Sequence, residues 1–148
     1  MGAMASRPSP FPDPGKRTPA ILVVEDEVLI RLVISAYLQE CGFHVYEAGN
    51  SMEAIRILEA AHTPIDLVFS DVAMPGEMDG FGLARWIRSH RPGLPVILTS
   101  GDAKKSAAAR ELCENEPFLA KPYDLEQVVA HIRKIINATR GKGEDSER

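Results

Sequence analysis

Acidic side chains directly follow two apolar runs of the sequence. Glu25 and Asp26 come after the run at 20–24, and Asp71 comes after the run at 65–70. If both runs are strands of an open parallel sheet, these carboxylates lie in the crevice outside the strand ends, where such sheets bind ligands. Neighbouring carboxylates repel one another, and a hard divalent cation such as Mg²⁺ relieves the repulsion by taking their oxygens as ligands. The spacing therefore predicts a metal site that includes Asp71.

Two further polar residues, Ser100 and Lys121, each stand at the end of a later apolar run. A lysine supplies a compact cation to a phosphoryl oxygen, and a serine hydroxyl can donate a hydrogen bond to another. A carboxylate beside a metal ion can attack phosphorus and form an acyl phosphate. We therefore expect a phosphorylation site in which Asp71 is the acceptor.

The elements that must position these residues are strands alternating with helices. Apolar β-rich runs predict strands at 20–24, 43–48, 65–70, 95–99 and 117–120. The spacing of apolar residues predicts helices at about 27–41, 51–61, 80–90, 103–114 and 124–138. This alternation predicts a parallel α/β sheet, and nearly continuous apolar strands indicate helices on both of its faces. A strand order of 2-1-3-4-5 puts the first and third strands at the topological switch point, with Glu25 and Asp26 beside Asp71.

Apolar spacing also predicts which side of a helix faces the sheet. In the first helix this side carries Leu29, Leu32, Val33, Ala36 and Tyr37. In the last helix it carries Leu125, Val128, Val129, Ile132, Ile135 and Ile136. Gly42 is the expected C-terminal cap of the first helix, and Asn50-Ser51 and Asp124 are expected N-terminal caps.

Composition indicates one globular domain. The chain has 148 residues, 45% hydrophobic and 26% charged, which is typical of such a domain. With +2 on residues 1–17 and 0 on 140–148, the total charge of −4 leaves −6 on residues 18–139. So acidic a domain has no general attraction for nucleic acid. Since no apolar run approaches a membrane span and no signal peptide opens the chain, we expect a cytoplasmic protein without direct nucleic-acid or membrane binding.

The two ends of the chain differ from its centre. Residues 1–17 are rich in proline and predict a flexible extension, and residues 140–148 predict a polar, frayed tail. The domain itself is expected at 18–139.

Several motifs of that domain occur together in a characteristic order. They are residues 22–27 (LVVEDE), 66–71 (DLVFSD), 74–76 (MPG), 78–80 (MDG), 95–100 (PVILTS) and 118–122 (FLAKP). In this order the chain resembles the receiver domain of two-component response regulators, the chemotaxis-regulator-like family. The resemblance implies a flavodoxin-like (βα)5 fold, a three-layer sandwich around a five-stranded parallel sheet, and a Mg²⁺-dependent aspartyl-phosphate switch.

The resemblance assigns a role to each site residue. It implies Asp71 as phosphoacceptor with Ser100 and Lys121 as catalytic partners, and Mg²⁺, or Mn²⁺ in its place, bound by Glu25, Asp26, Asp71 and the main-chain carbonyl of Ala73. It implies a cis peptide bond at Lys121-Pro122, a switch formed by Ser100 and Phe118, and a dephosphorylation rate set by Ala73 and Asp102. Counted from Pro95, the hydroxyl position falls on Ser100 rather than on Thr99, and only one of the two can face the site because side chains alternate along a strand.

The resemblance also implies partners. A histidine kinase or a histidine phosphotransfer protein would donate the phosphoryl group, docking near the first helix and the Lys121-Pro122 loop. Leu29, Ile30 and Val33 are candidate contacts. The responding surface would be the helices at 103–114 and 124–138 with the strand at 117–120, which would regulate a downstream protein or output domain. A homodimer that forms on phosphorylation is a further expectation.

The chain departs from the common pattern in three places. Glu25 replaces the commoner aspartate, the loop at 74–80 has one extra residue, and the segment between Ser100 and Lys121 is short. One alternative function is a receiver-like adaptor that is never phosphorylated, although such domains usually lose part of the site. A second is a Mg²⁺-dependent phosphohydrolase of the haloacid-dehalogenase kind, which needs an aspartate where this chain has Ala73. The domain itself is expected to be a signalling phosphoacceptor and not an enzyme acting on other substrates.

Overall fold

A parallel sheet of five strands forms the centre of the protein. The computed structural model describes residues 18–60, 62–100, 118–120 and 124–146. The strands are β1 (Ala20–Val24), β2 (His44–Ala48), β3 (Leu67–Asp71), β4 (Val96–Ser100) and β5 (Phe118–Ala120). The helices of the described residues are α1 (Val28–Glu40), α2 (Ser51–Glu59), α3 (Gly80–His90) and α4 (Leu125–Ser146). Each strand lies within two residues of its predicted bounds.

The strand order is β2-β1-β3-β4-β5, and every neighbouring pair is parallel, as predicted. Val24, the last residue of β1, pairs with Ser70 of β3. The next residues, Glu25 just after β1 and Asp71 at the end of β3, therefore lie side by side at the same edge of the sheet. This register places the acidic residues at the switch point between β1 and β3.

Side chains from the two faces of the sheet form two separate hydrophobic clusters. Leu22 and Val24 point to the face covered by α2 and α3, where they pack with Leu83 and Ile87. Ile21 and Val23 point to the opposite face, which α1 and α4 cover. Because both faces are covered, the strands are apolar throughout, and each fully buried aliphatic side chain contributes about 1.5–3 kcal/mol to folding. The three-layer flavodoxin-like architecture is thus confirmed.

The predicted sheet-facing side of α1 is wrong. Leu29, Leu32 and Val33 are 78%, 49% and 58% exposed, and Ala36 is exposed as well, while Tyr37 is only half-buried. The side that packs on the sheet instead carries Ile34, Ser35 and Leu38. In α4, by contrast, the predicted face is confirmed, since Val128, Val129, Ile132 and Ile136 are buried and Leu125 and Ile135 pack against them. The spacing of apolar residues indicated the wrong side because α1 has apolar residues on nearly every side.

The predicted caps are confirmed. Gly42 has φ +95°, and the N–H groups of Gly42 and Phe43 donate to the carbonyls of Gln39 and Leu38, an arrangement that closes α1. The Asn50 side chain accepts from the Glu53 N–H at 2.9 Å, so it begins α2. The Asp124 side chain accepts from the Glu126 N–H at 3.1 Å, so it begins α4.

The last helix is longer than predicted. It continues to Ser146 rather than ending near residue 138. The apolar pattern that predicted the helix ends at Ile136, so this pattern gave no signal for the helical turns beyond it. The predicted helix at 103–114 lies outside the described residues. Of the helices that the structure does describe, none is both long and apolar enough to cross a membrane.

Candidate functional site

The three predicted acidic residues come together at the carboxyl edge of the sheet. One carboxylate oxygen from each of Glu25, Asp26 and Asp71 lies within 4.8 Å of the others. Glu25 and Asp71 are buried, with 3% and 7% of their surface exposed, whereas Asp26 is accessible to solvent. The cluster is thus fixed on its inner side and open on its outer side.

The open side of the cluster leads into a cleft of about 850 Å³. Asp26 and Ala73 line it near the strand ends, and Arg85 of α3 lines it as well. The rest of its wall is the loop between β3 and α3, residues 74–79, together with Gly82 of α3. In this loop Gly76 has φ +110°, a backbone conformation that favours glycine. Of the three clustered carboxylates, Asp26 is the one that lines this cleft.

The backbone around Asp71 is held on two sides. The Val72 N–H donates to the Thr99 carbonyl of β4 at 2.9 Å, and the Ser70 hydroxyl donates to the Asp71 carbonyl at 2.9 Å. The Gly80 N–H, at the start of α3, donates to the Val72 carbonyl at 2.9 Å. The loop from β3 therefore returns to the strand it left, and α3 begins against the backbone of Asp71.

The backbone around Glu25 is held in a similar way. Its N–H donates to the Ala48 carbonyl of β2 at 3.0 Å. Its carbonyl accepts from Nη1 of Arg31 at 2.8 Å, and its Oε2 accepts from the Glu27 N–H at 3.2 Å. These bonds fix the main chain of Glu25 and one oxygen of its carboxylate.

The donor atoms of the cluster fit Mg²⁺ and also Mn²⁺. All three ligand candidates are carboxylates, and neither nitrogen nor sulfur is among them. Hard divalent cations of this kind prefer oxygen ligands and keep several waters, which the exposed side of the cluster allows.

Thr99 and Ser100 are both buried at the end of β4. The register pairs Asp71 with Thr99, so Ser100 stands one residue further toward the edge of the sheet. The alternation of side chains sends the two hydroxyls to opposite faces. That Ser100 is the one to meet a phosphoryl group stays a prediction.

Several predicted site residues lie outside what the structure describes. Lys121, the Lys121-Pro122 peptide bond and Asp102 fall beyond the described residues. Phe118 is described only as the first residue of β5, so its role as a switch stays a prediction. The main-chain carbonyl of Ala73 as a metal ligand is a prediction as well, although Ala73 lines the cleft beside Asp26.

Two residues of the site were missed from the sequence. Gly80 lies against the Asp71 backbone, and its signal was the Met-Asp-Gly motif, noted only as part of the family pattern. Arg31 is the single basic residue of α1, lies among apolar residues of its first two turns, and bonds to the carbonyl of Glu25. An isolated arginine among apolar residues is a signal of a fixed partner, although the sequence does not say which one.

Comparison with known proteins identifies the family of this chain. Residues 21–133 match the family model of the response regulator receiver domain. The chain is 38% identical over 118 residues to the sensor kinase CckA of Brucella abortus, covering 78% of this chain and 12% of that protein. It is 32% identical over 120 residues to the probable transcriptional regulatory protein TcrX of Mycobacterium tuberculosis, covering 80% of this chain and 50% of that protein. The chain thus spans half or less of the curated relatives it matches.

Solved structures give the same result. The receiver domain of a response regulator from Clostridium thermocellum is 30% identical, with a TM-score of 0.74 over 82% of this chain and 97% of that one. NtrX from Brucella abortus is 27% identical, with a TM-score of 0.76 over 88% of this chain and 30% of that one. The fold, the acidic cluster and the family match together show that this chain belongs to the response regulator receiver domain family, the phosphorylation-dependent signalling switches of two-component systems.

Proposed function

We propose that Asp71 accepts a phosphoryl group from a phosphohistidine donor in a Mg²⁺-dependent reaction. The observation that carries the proposal is the meeting of the Glu25, Asp26 and Asp71 carboxylates within 4.8 Å. A cation bound there would relieve the repulsion among the three carboxylates, two of which are buried. With Mg²⁺ bound there, the same three carboxylates would supply both the metal ligands and the phosphoacceptor.

The reaction needs little covalent chemistry from the protein. A carboxylate oxygen of Asp71 attacks phosphorus, the new P–O bond forms an acyl phosphate, and the P–N bond to the donor's imidazole breaks. The imidazole leaves with the electron pair of that bond. Bound Mg²⁺ would be held by Glu25, Asp26, Asp71 and the Ala73 carbonyl and would neutralise charge on the transferring group. Lys121 and Ser100 would contact the remaining phosphoryl oxygens.

The lifetime of the acyl phosphate depends on water reaching it. Ala73 is exposed and lines the cleft, so its methyl group leaves room for an attacking water. Asp102 would orient or repel that water. The proposal therefore includes a dephosphorylation rate that changes with the size of the side chain at residue 73.

The donor would dock on the exposed side of α1. Its first two turns expose four large apolar side chains, with 49–78% of each accessible. These are Val28, Leu29, Leu32 and Val33, here called the α1 apolar patch. The patch begins two residues after Asp26, so a protein that covers it is close to the acidic cluster. Contiguous apolar surface of this kind marks interaction sites, and a histidine kinase or phosphotransfer protein is the partner that the chemistry requires.

The response would appear at the β5 end of the sheet. Ser100 and Phe118 would move toward the phosphoryl group, and the surface of residues 103–114, β5 and α4 would change in consequence. A downstream protein or an attached output domain would read that surface. The chain's own chemistry would be limited to its phosphorylation and dephosphorylation.

Acetyl phosphate tests the proposal without knowledge of the natural donor. The protein is incubated with acetyl phosphate and Mg²⁺, and its intact mass is measured beside the Asp71→Asn variant. A matched control is Asp66→Asn, which changes a carboxylate at the opposite edge of the sheet, where it accepts from the Ala20 N–H. We expect one phosphoryl group on the wild type and on Asp66→Asn, none on Asp71→Asn, and none when EDTA replaces Mg²⁺. An unmodified wild type that also fails to bind Mg²⁺ would favour an adaptor that is not phosphorylated.

A further inference from the structure

We propose that Arg31 is a positioning residue for the metal site, an inference that rests on the proposed Mg²⁺-dependent function. Arg31 lies in the first turn of α1, where its N–H donates to the Glu27 carbonyl at 2.9 Å. Its side chain turns back toward the end of β1 rather than into solvent. There the guanidinium donates to the carbonyl of Glu25 at 2.8 Å.

The guanidinium of Arg31 joins three parts of the edge. Besides the Glu25 carbonyl, it contacts the Glu47 carboxylate of β2, with Nε 3.3 Å from Oε1. The side chain of Arg31 is only 19% exposed, and its bond to the Glu25 carbonyl is partly buried, whereas its bond to Glu47 lies at the surface. Arg31 thus links the end of β1, the neighbouring strand β2 and the start of α1.

Gly49 provides the space in which this guanidinium lies. A Cβ at residue 49 would stand 3.2 Å from Nη1 of Arg31 and 3.3 Å from Oε2 of Glu53. These distances are tighter than ordinary van der Waals contact, so any larger residue would push on the arginine. The backbone beyond β2 is therefore shaped to accept the arginine at this position.

Together with two other hydrogen bonds, the bond from Arg31 holds Glu25 in place. The N–H of Glu25 is bonded to β2, its Oε2 to the Glu27 N–H, and its carbonyl to Arg31. With the carbonyl released, the peptide that joins Glu25 to Asp26 could rotate, and both carboxylates would lose their fixed direction. Residues that orient metal ligands in this way typically change metal affinity by 10–100-fold.

A purely electrostatic role for Arg31 predicts the opposite result. A positive charge close to the cluster repels Mg²⁺, so its removal alone would tighten metal binding. Removal of a positioning group weakens metal binding. The sign of the change in Mg²⁺ affinity therefore separates the two roles.

The test measures Mg²⁺ affinity by titration calorimetry on the full chain. We expect Arg31→Gln to bind Mg²⁺ about tenfold more weakly than the wild type. Arg31→Lys keeps the charge and can make only one of the two side-chain contacts, so we expect an intermediate loss. The matched control is Arg133→Gln, which removes a guanidinium bonded at 2.8 Å to the Cys41 carbonyl, at the far end of α1. The control should bind Mg²⁺ as the wild type does.

A second variant covers the case in which Arg31→Gln does not fold. Gly49→Ala leaves every charge in place and displaces the guanidinium. It should therefore weaken Mg²⁺ binding by about two- to threefold, less than the loss expected for Arg31→Gln. If Arg31→Gln binds Mg²⁺ as tightly as the wild type or more tightly, Arg31 is not a positioning residue. If Arg31→Gln is unfolded, unchanged Mg²⁺ binding by Gly49→Ala would overturn the role of Arg31. A wild type that binds no Mg²⁺ would overturn the proposed function, and this inference with it.

Discussion

Gly80 lies directly against the main chain of Asp71. A Cβ at residue 80 would stand 2.7 Å from the Cα of Val72 and closer still to the carbonyl oxygen of Asp71. Both neighbours are backbone atoms, which cannot move aside as the end of a side chain can. The first residue of α3 therefore sets the position of the proposed phosphoacceptor.

Gly80→Ala should damage both stability and phosphorylation. The added methyl group must displace the backbone of Asp71, and overpacking of this kind costs about 1–3 kcal/mol of unfolding free energy. A shift of the acceptor by a fraction of an ångström should slow phosphorylation by acetyl phosphate by at least about tenfold. Urea unfolding and the rate of the mass increase measure the two effects.

The matched control for that substitution is Gly82→Ala. A Cβ at residue 82 would press on the side chain of Met78, a half-buried loop residue with a flexible end, and would meet the Asp79 carboxylate at ordinary contact distance. We expect this variant to phosphorylate at the wild-type rate. Equal loss of rate in both variants would show that α3 matters as a whole, and would contradict a specific role for Gly80.

The hydroxyl of β4 that serves the site can be identified with paired variants. Ser100→Ala and Thr99→Ala each remove one buried hydroxyl from adjacent positions on opposite faces of the strand. We expect Ser100→Ala to weaken the response to phosphorylation, measured as the change in amide-proton chemical shifts of α4 on addition of acetyl phosphate and Mg²⁺. Thr99→Ala should leave that change intact. The reverse result would assign the role to Thr99, the residue paired with Asp71.

The acidic site could be predicted from the sequence because topology determines it. Once β1 and β3 are neighbours in a parallel sheet, the residue after Val24 and the residue at the end of β3 must meet at one edge. No side-chain detail is needed for that result. The partners of the backbone at this edge, Arg31 and Gly80, could not be predicted in the same way, because they depend on how α1 and α3 cross the strands.

The packing face of α1 shows the limit of periodicity. Six of the first seven residues of this helix are aliphatic, and Arg31 is the exception. With apolar residues on every side, three-and-four spacing fits more than one face. The sheet selects Ile34 and Leu38, whereas the other side stays exposed as the α1 apolar patch.

Paired truncations should confirm which face of α1 is buried. Ile34 is 3% exposed and Leu32 is 49% exposed. Ile34→Ala should cost about 2–4 kcal/mol of unfolding free energy, since it leaves a cavity between α1 and the sheet. Leu32→Ala should cost less than about 1 kcal/mol. Urea unfolding of both variants decides the matter, and similar costs would mean that Leu32 also packs in the core.

The α1 apolar patch should be needed for transfer from a protein donor and not for the chemistry itself. Leu29 is 78% exposed, so Leu29→Glu should leave stability and phosphorylation by acetyl phosphate unchanged. The introduced charge must be buried when an apolar partner covers the patch, and we expect transfer from a phosphorylated histidine phosphotransfer domain active on the wild type to slow by about tenfold or more. Met52→Glu changes an equally apolar residue of α2, 50% exposed, and should transfer normally. If Leu29→Glu accepts from the protein donor at the wild-type rate, the donor does not dock on this side of α1, and the patch must serve another partner.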